Sequence, residues 1–115
     1  MAQNLLRQFF GGFVRLHVLH HAAEEPIWGA EIMEELGRHG YQLSPGTLYP
    51  ILHQLEAAGV LTAKTIVISG KRRKTYRITR TGRELLQEAR EKLRELVSEV
   101  LEDQETRHIG KGHDQ

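Results

Sequence analysis

Two runs rich in β-branched residues, Leu61 to Ile68 and Lys74 to Ile78, are separated only by Ser69-Gly70 and the cations Lys71-Arg72-Arg73. Short runs of this kind around a Ser-Gly turn read as the two strands of a hairpin, here with a basic tip. Elsewhere the apolar residues recur at steps of three and four, the period of a helix. The fold class that results is mainly α with a small β-hairpin.

The helices can be placed from their punctuation. The first runs from about Asn4 to Ala23, with Leu6, Phe9, Phe13, Leu16 and His20 along one stripe, and Glu24-Glu25-Pro26 ends it. Gly11-Gly12 weakens its helix propensity early on. A second spans about Trp28 to Leu36, with Ile32, Met33 and Leu36 on its apolar side and Gly37 and Gly40 at its exit. Ser44-Pro45 opens the third, because serine can cap unpaired N–H groups and proline suits the first helical position. It runs to about Ala58, stops at Gly59 and turns Leu48, Ile51, Leu52 and Leu55 inward. The last helix starts near Thr79 to Thr81, where Thr81 and Glu84 have capping-box spacing, and continues to about Asp103. The apolar-poor tail from 105 to 115 is expected to be disordered. Three helices, a hairpin and one long helix form the order of a winged helix-turn-helix (residues 1–80) followed by a dimerisation helix (residues 81–104). A small α+β domain of no particular function is the alternative.

At 115 residues with 39% hydrophobic and 27% charged side chains, the chain suits one globular domain. It has no cysteine, which excludes disulfides, thiolate metal sites, iron–sulfur clusters and a cysteine nucleophile, and fits a reducing, cytoplasmic setting. No secretory signal is visible at the N-terminus, and Arg15 with three histidines interrupts the longest apolar stretch, so no membrane span is expected. The net charge of +1 conceals a strong asymmetry. Between Glu56 and Glu84 there are eight basic residues and no acidic one; from Glu84 to Glu105 there are eight acidic residues against three basic ones. A basic block of this kind is the footprint of polyanion binding, with a solvated loop as the bland reading.

The third helix carries the most specific information. Its outward face should show Gly46, Thr47, Tyr49, Pro50, His53 and Gln54. Pro50 breaks a local rule inside a helix by removing the hydrogen bond to the Gly46 carbonyl, which hints at a functional constraint. The stretch Ser44-Pro45-Gly46-Thr47-Leu48-Tyr49-Pro50-Ile51-Leu52, followed by Leu55-Glu56 and Gly59-Val60-Leu61, resembles the signature of the PadR family of bacterial transcriptional regulators. Arg73-Lys74-Thr75-Tyr76-Arg77-Ile78-Thr79 and Gly82 resemble that family's second wing strand and its junction with the last helix. Gly29-Ala30-Glu31-Ile32 departs from the pattern, which usually has an aromatic where Ala30 stands.

The resemblance implies a homodimeric, sequence-specific repressor of the short class that binds double-stranded DNA at an inverted repeat. It assigns DNA contact to Ser44, Pro45, Gly46, Thr47, Tyr49, Pro50 and His53 on the recognition helix and to Lys71, Arg72, Arg73 and Lys74 on the wing, with Arg77 and Arg80 ranked behind them. Leu86, Ala89, Leu93, Leu96 and Val100 independently form a heptad seam for dimerisation, widened by Leu85, Val97 and Leu101. In related dimers the partner's first helix packs there, which gives Phe9, Phe13 and Leu16 a destination; packing of the stripe on its own domain is the alternative.

His17 and His21 have the i, i+4 spacing of a chelating pair, and Glu24 or Glu25 can add a carboxylate, although such pairs are more often surface or interface residues. No cofactor is required; a divalent transition metal or a small-molecule effector at the dimer interface is the conceivable addition. There is no P-loop, HExxH, dinucleotide turn or nucleophile elbow, so no enzymatic activity is expected. The competing reading is a winged-helix module that binds protein or RNA.

Overall fold

The computed structural model describes residues 2–102, so the expected tail lies outside the described residues. The elements are α1 (Ala2–Glu24), β1 (Ile27–Trp28), α2 (Gly29–Arg38), α3 (Pro45–Ala57), β2 (Leu61–Ile68), β3 (Lys71–Ile78) and α4 (Arg80–Val97), extended by a π-helical turn, Ser98–Glu102. One core is shared by the helices and strands, without the π-helical turn, and is built around Val14, Val18, Ile32, Leu36, Leu48, Leu52, Leu61 and Tyr76. A winged helix-turn-helix with a long C-terminal helix is the architecture.

Three local features depart from the sequence reading, and one completes it. The core side of α1 is Val14, Val18, Leu19 and Ala22, while Leu6, Phe9 and Phe13, the last two expected at a dimer interface, are exposed. The helix has two apolar faces: one enters the core, and the other meets its own domain only in part, at Leu16 and Phe13 beside α4.

The sheet has three strands, ordered β1-β3-β2 and antiparallel throughout. The two residues of β1, opposite Tyr76 and Thr75, are too few to show any periodicity in sequence.

The hairpin turn is Ser69-Gly70 alone, with φ of 52° and 77°. Two successive positive φ values make the tight primed turn that matches strand twist. Ile68 therefore pairs with Lys71, and Lys71, Arg72 and Arg73, expected at the tip, belong to strand β3.

The cap of α4 is Thr79, not Thr81. Its hydroxyl accepts from Gly82 N at 3.0 Å and donates to the Gly59 carbonyl at 2.6 Å. Gly82 lies so close to the Val60 carbonyl and Ile78 that a Cβ would overlap both. At the other side of this joint, α3 ends with Gly59 at φ +80° and Val60 N bonded to the Leu55 carbonyl, the Schellman arrangement.

Candidate nucleic-acid interface

Leu48, Ile51, Leu52 and Leu55 are all buried, as their spacing predicts, and this fixes the rotation of α3. Ser44, Pro45, Gly46, Thr47, Pro50 and His53 are consequently exposed along one side. Ser44 occupies the N-cap position in an extended conformation, but its hydroxyl makes no cap bond to the backbone and donates instead to Thr47 Oγ1 at 3.3 Å. Thr47 N is already bonded to the Ser44 carbonyl, and proline has no N–H, so Gly46 carries the remaining amide at this end. The helix tip thus offers one amide and two hydroxyls to a phosphate, less than a fully open N-terminus.

Tyr49 is only 36% exposed. Its ring lies against Gly29 at the start of α2, where an added Cβ would collide with Oη, Cζ and Cε1. One side of the ring is packing and the other is surface. Gln54, expected on the outer face, is held by Arg15 of α1, whose Nε and Nη2 both donate to Oε1 at 3.0 and 2.8 Å. Arg15 thereby brings a cation to the edge of the α3 surface. It lies 39 residues away in sequence, so no local motif announced it.

The wing cations divide by strand period. Arg73 sits over the Trp28 ring at 6.0 Å, a cation–π contact, and is half-buried. Lys74, on the opposite face, pairs with Glu56 at 3.5 Å and lies 5.4 Å from the Tyr76 ring. Tyr76, and after it Glu56, hold the Lys74 ammonium above the usual lysine range. Lys71 and Arg72 are exposed and make no ion pair among the described residues. The cationic edge is real, with two of its four members already engaged inside the protomer.

A second surface is apolar. Phe9 is 61% exposed and Leu96 52%, and Leu6, Phe13, Leu93, Val100 and Leu101 are exposed with them. Leu86 is the exception in the expected seam: at 3% exposure it belongs to the protomer's own core. Ala89, Leu16 and Val97 are partly covered. α1 and α4 pack against each other around a groove of about 370 Å³ lined by Phe13, Leu16, His17, Tyr41, Arg90 and Leu93. At its rim an Arg90 N–H donates to His20 Nδ1 at 3.2 Å.

His17 and His21 do stand one turn apart, with nearly parallel rings. The structure adds His39, which follows α2 and stacks on His17 at 4.9 Å between ring centroids. Burial first, then His39, His21 and His20, hold the His17 imidazole below its ordinary range. Glu35 accepts from Arg38 at 2.6 Å, and that bond keeps its carboxyl below the usual range. No helix among the described residues is long and apolar enough to cross a membrane.

Residues 18–88 match the model of the family described as "Transcriptional regulator PadR-like family". The chain is 52% identical over 96 residues to a protein named transcriptional regulator Rv3488 from Mycobacterium tuberculosis, covering 84% of this chain and 90% of the relative. Among solved structures it is similar to a PadR family transcriptional regulator from Eggerthella lenta, at 28% identity and a TM-score of 0.76, over 91% of this chain and 93% of the other. A PadR-like transcriptional regulator from Bacillus cereus gives 25% identity and a TM-score of 0.76, over 92% and 99% of the two chains.

Proposed function

Because the chain belongs to the PadR-like family, DNA-binding transcriptional regulators rather than enzymes, we propose that it is a repressor that grips an inverted-repeat operator as a homodimer. The observation that carries this reading is the pairing of two surfaces on one protomer. One is the polar face of α3 beside the exposed Lys71 and Arg72; the other is the uncovered apolar stripe of α1 and α4.

Each surface calls for a different partner. Cations on an extended edge suit phosphates and supply affinity and salt dependence, while α3 supplies sequence preference from the major groove. An apolar stripe of this length, on a chain too small to cover it, suits a second copy of itself. Two α3 helices related by a twofold axis favour half-sites about one helical turn apart, roughly 34–36 Å, or a multiple of that. The α1–α4 groove, beside the proposed seam, is where a small-molecule effector would act on the angle between protomers. A regulator working on the chromosome acts in the cytoplasm.

The test is a titration of labelled duplex from the region upstream of the protein's own gene against a scrambled duplex of equal length, at several salt concentrations. Tighter binding to the native duplex at two protomers per site is expected. Equal affinity for both duplexes would overturn the operator reading and favour a protein or RNA partner. Transcription from the same fragment in a reconstituted system should fall as protein is added; a rise would make it an activator.

A further inference from the structure

We propose that His17 and His21 of α1, together with His39 just beyond α2, bind one divalent transition-metal ion per protomer, with Glu35 as the carboxylate that orients the imidazoles. The three side chains each present a nitrogen, and these nitrogens lie within 4.8 Å of one another. Nitrogens bound to a common tetrahedral ion at about 2.0–2.1 Å stand roughly 3.4 Å apart. A closure of up to about 1.4 Å is therefore needed, within reach of side-chain rotation because His39 is exposed.

The surroundings fit a cation better than they fit a plain packing cluster. Glu35 Oε2 is 3.2 Å from His39 Nε2 and 3.7 Å from His21 Nε2. A carboxylate behind an imidazole fixes its tautomer and raises its basicity toward a metal. Arg38 anchors the other oxygen of Glu35, so the carboxylate is held in place. His21 also borders a pocket of about 250 Å³ whose lining includes Glu24, Glu25, Glu31 and Glu35, with Arg38 as its basic residue. That local field concentrates cations. Metal ligation needs neutral imidazoles, and burial, with the other imidazoles beside it, shifts His17 toward that form. With nitrogen donors and no sulfur available, the fitting ions are zinc, cobalt and nickel.

A bound ion would tie α1, whose outer face is the apolar stripe, to the end of α2, which leads into the turn before α3. The inference is independent of DNA binding, and its test contains no DNA. Untagged full-length protein is titrated with zinc chloride by calorimetry and with cobalt chloride by visible absorption. One ion per protomer is expected. His39→Gln and His17→Gln should each weaken zinc binding at least about tenfold and remove the cobalt band, whereas His20→Gln should match the wild type. His20, His21 and Glu24 form a rival group on α1 alone, and loss in His20→Gln with retention in His39→Gln would overturn the proposal in its favour. Unchanged affinity in both His39→Gln and His39→Asn would overturn it as well. The two His39 variants guard against a folding defect, because the position is exposed and melting without metal reports on the fold.

Discussion

Tyr49 answers to two neighbours at once. Behind it, Gly29 has no side chain, and the space left is filled by the tyrosine ring. In front, the remaining edge joins Gly46, Thr47 and Pro50 on the exposed side of α3. Ring and hydroxyl can therefore be separated experimentally. Tyr49→Phe keeps the packing, so melting should be unchanged while specific affinity falls by roughly 1–3 kcal/mol if the hydroxyl contacts the operator; unchanged affinity would reduce Tyr49 to a packing residue. The wing allows a similar division. Arg72→Ala, which removes an exposed cation, should lower the slope of log affinity against log salt by about one unit. Arg73→Ala, which removes a cation already stacked on Trp28, should change the slope less and stability more. Equal slopes for the two variants, measured by fluorescence anisotropy, would contradict this assignment. Residue type and spacing singled out Tyr49 and the basic run as candidates, but which cations are already engaged depends on Trp28 and Glu56, brought close only by the fold.

At the level of elements, α3 was the most legible because its signals agree: a Ser-Pro start, a glycine stop and four inward apolar residues. The first helix was less so. It carries one stripe for its own core and another left uncovered, and periodicity identifies a stripe without saying what meets it. The wing tip was misplaced for a related reason: lysine and arginine are poor strand markers, but the two-residue turn sets a register that carries them into β3. His39 could not be placed with His17 from sequence, since only the packing of α2 on α1 unites them. The uncovered stripe leads to a direct test. Leu93→Glu places a charge where α4 is exposed in the protomer, so the isolated fold should survive, while sedimentation at micromolar concentration should show loss of the proposed dimer. A dimer unaffected by this change would remove α4 from the interface.

On the scale of the whole molecule, the histidine cluster makes stability depend on acidity. The His17 imidazole sits below its ordinary value of about 6.5, so the native state binds fewer protons than the unfolded chain once the pH drops below that value. Stability is then fully present above about pH 6.5 and is lost as the pH falls through the lower native value. His20, His21 and His39 oppose protonation of His17, and Glu35 favours it weakly. Thermal melts in chelator between pH 8 and 5 should show a decline in Tm that is shallower in His17→Gln; parallel curves would assign the decline elsewhere.

The joint at Thr79 has a mechanical consequence. One hydroxyl spans the end of α3 and the start of α4, and Gly82 is pressed onto the Val60 backbone beside it. These contacts tie the end of α3 to the start of α4, so in the proposed dimer the helix facing DNA and the helix facing the partner are coupled at one elbow. A signal at the proposed dimer seam would then reach the proposed DNA-reading helices by rolling one protomer against the other, with a small tilt at α4 magnified at the far end of the wings. In the proposed dimer, Thr79→Ala should loosen the elbow while α4 stays joined to its partner, so sedimentation should still report self-association while specific DNA affinity falls.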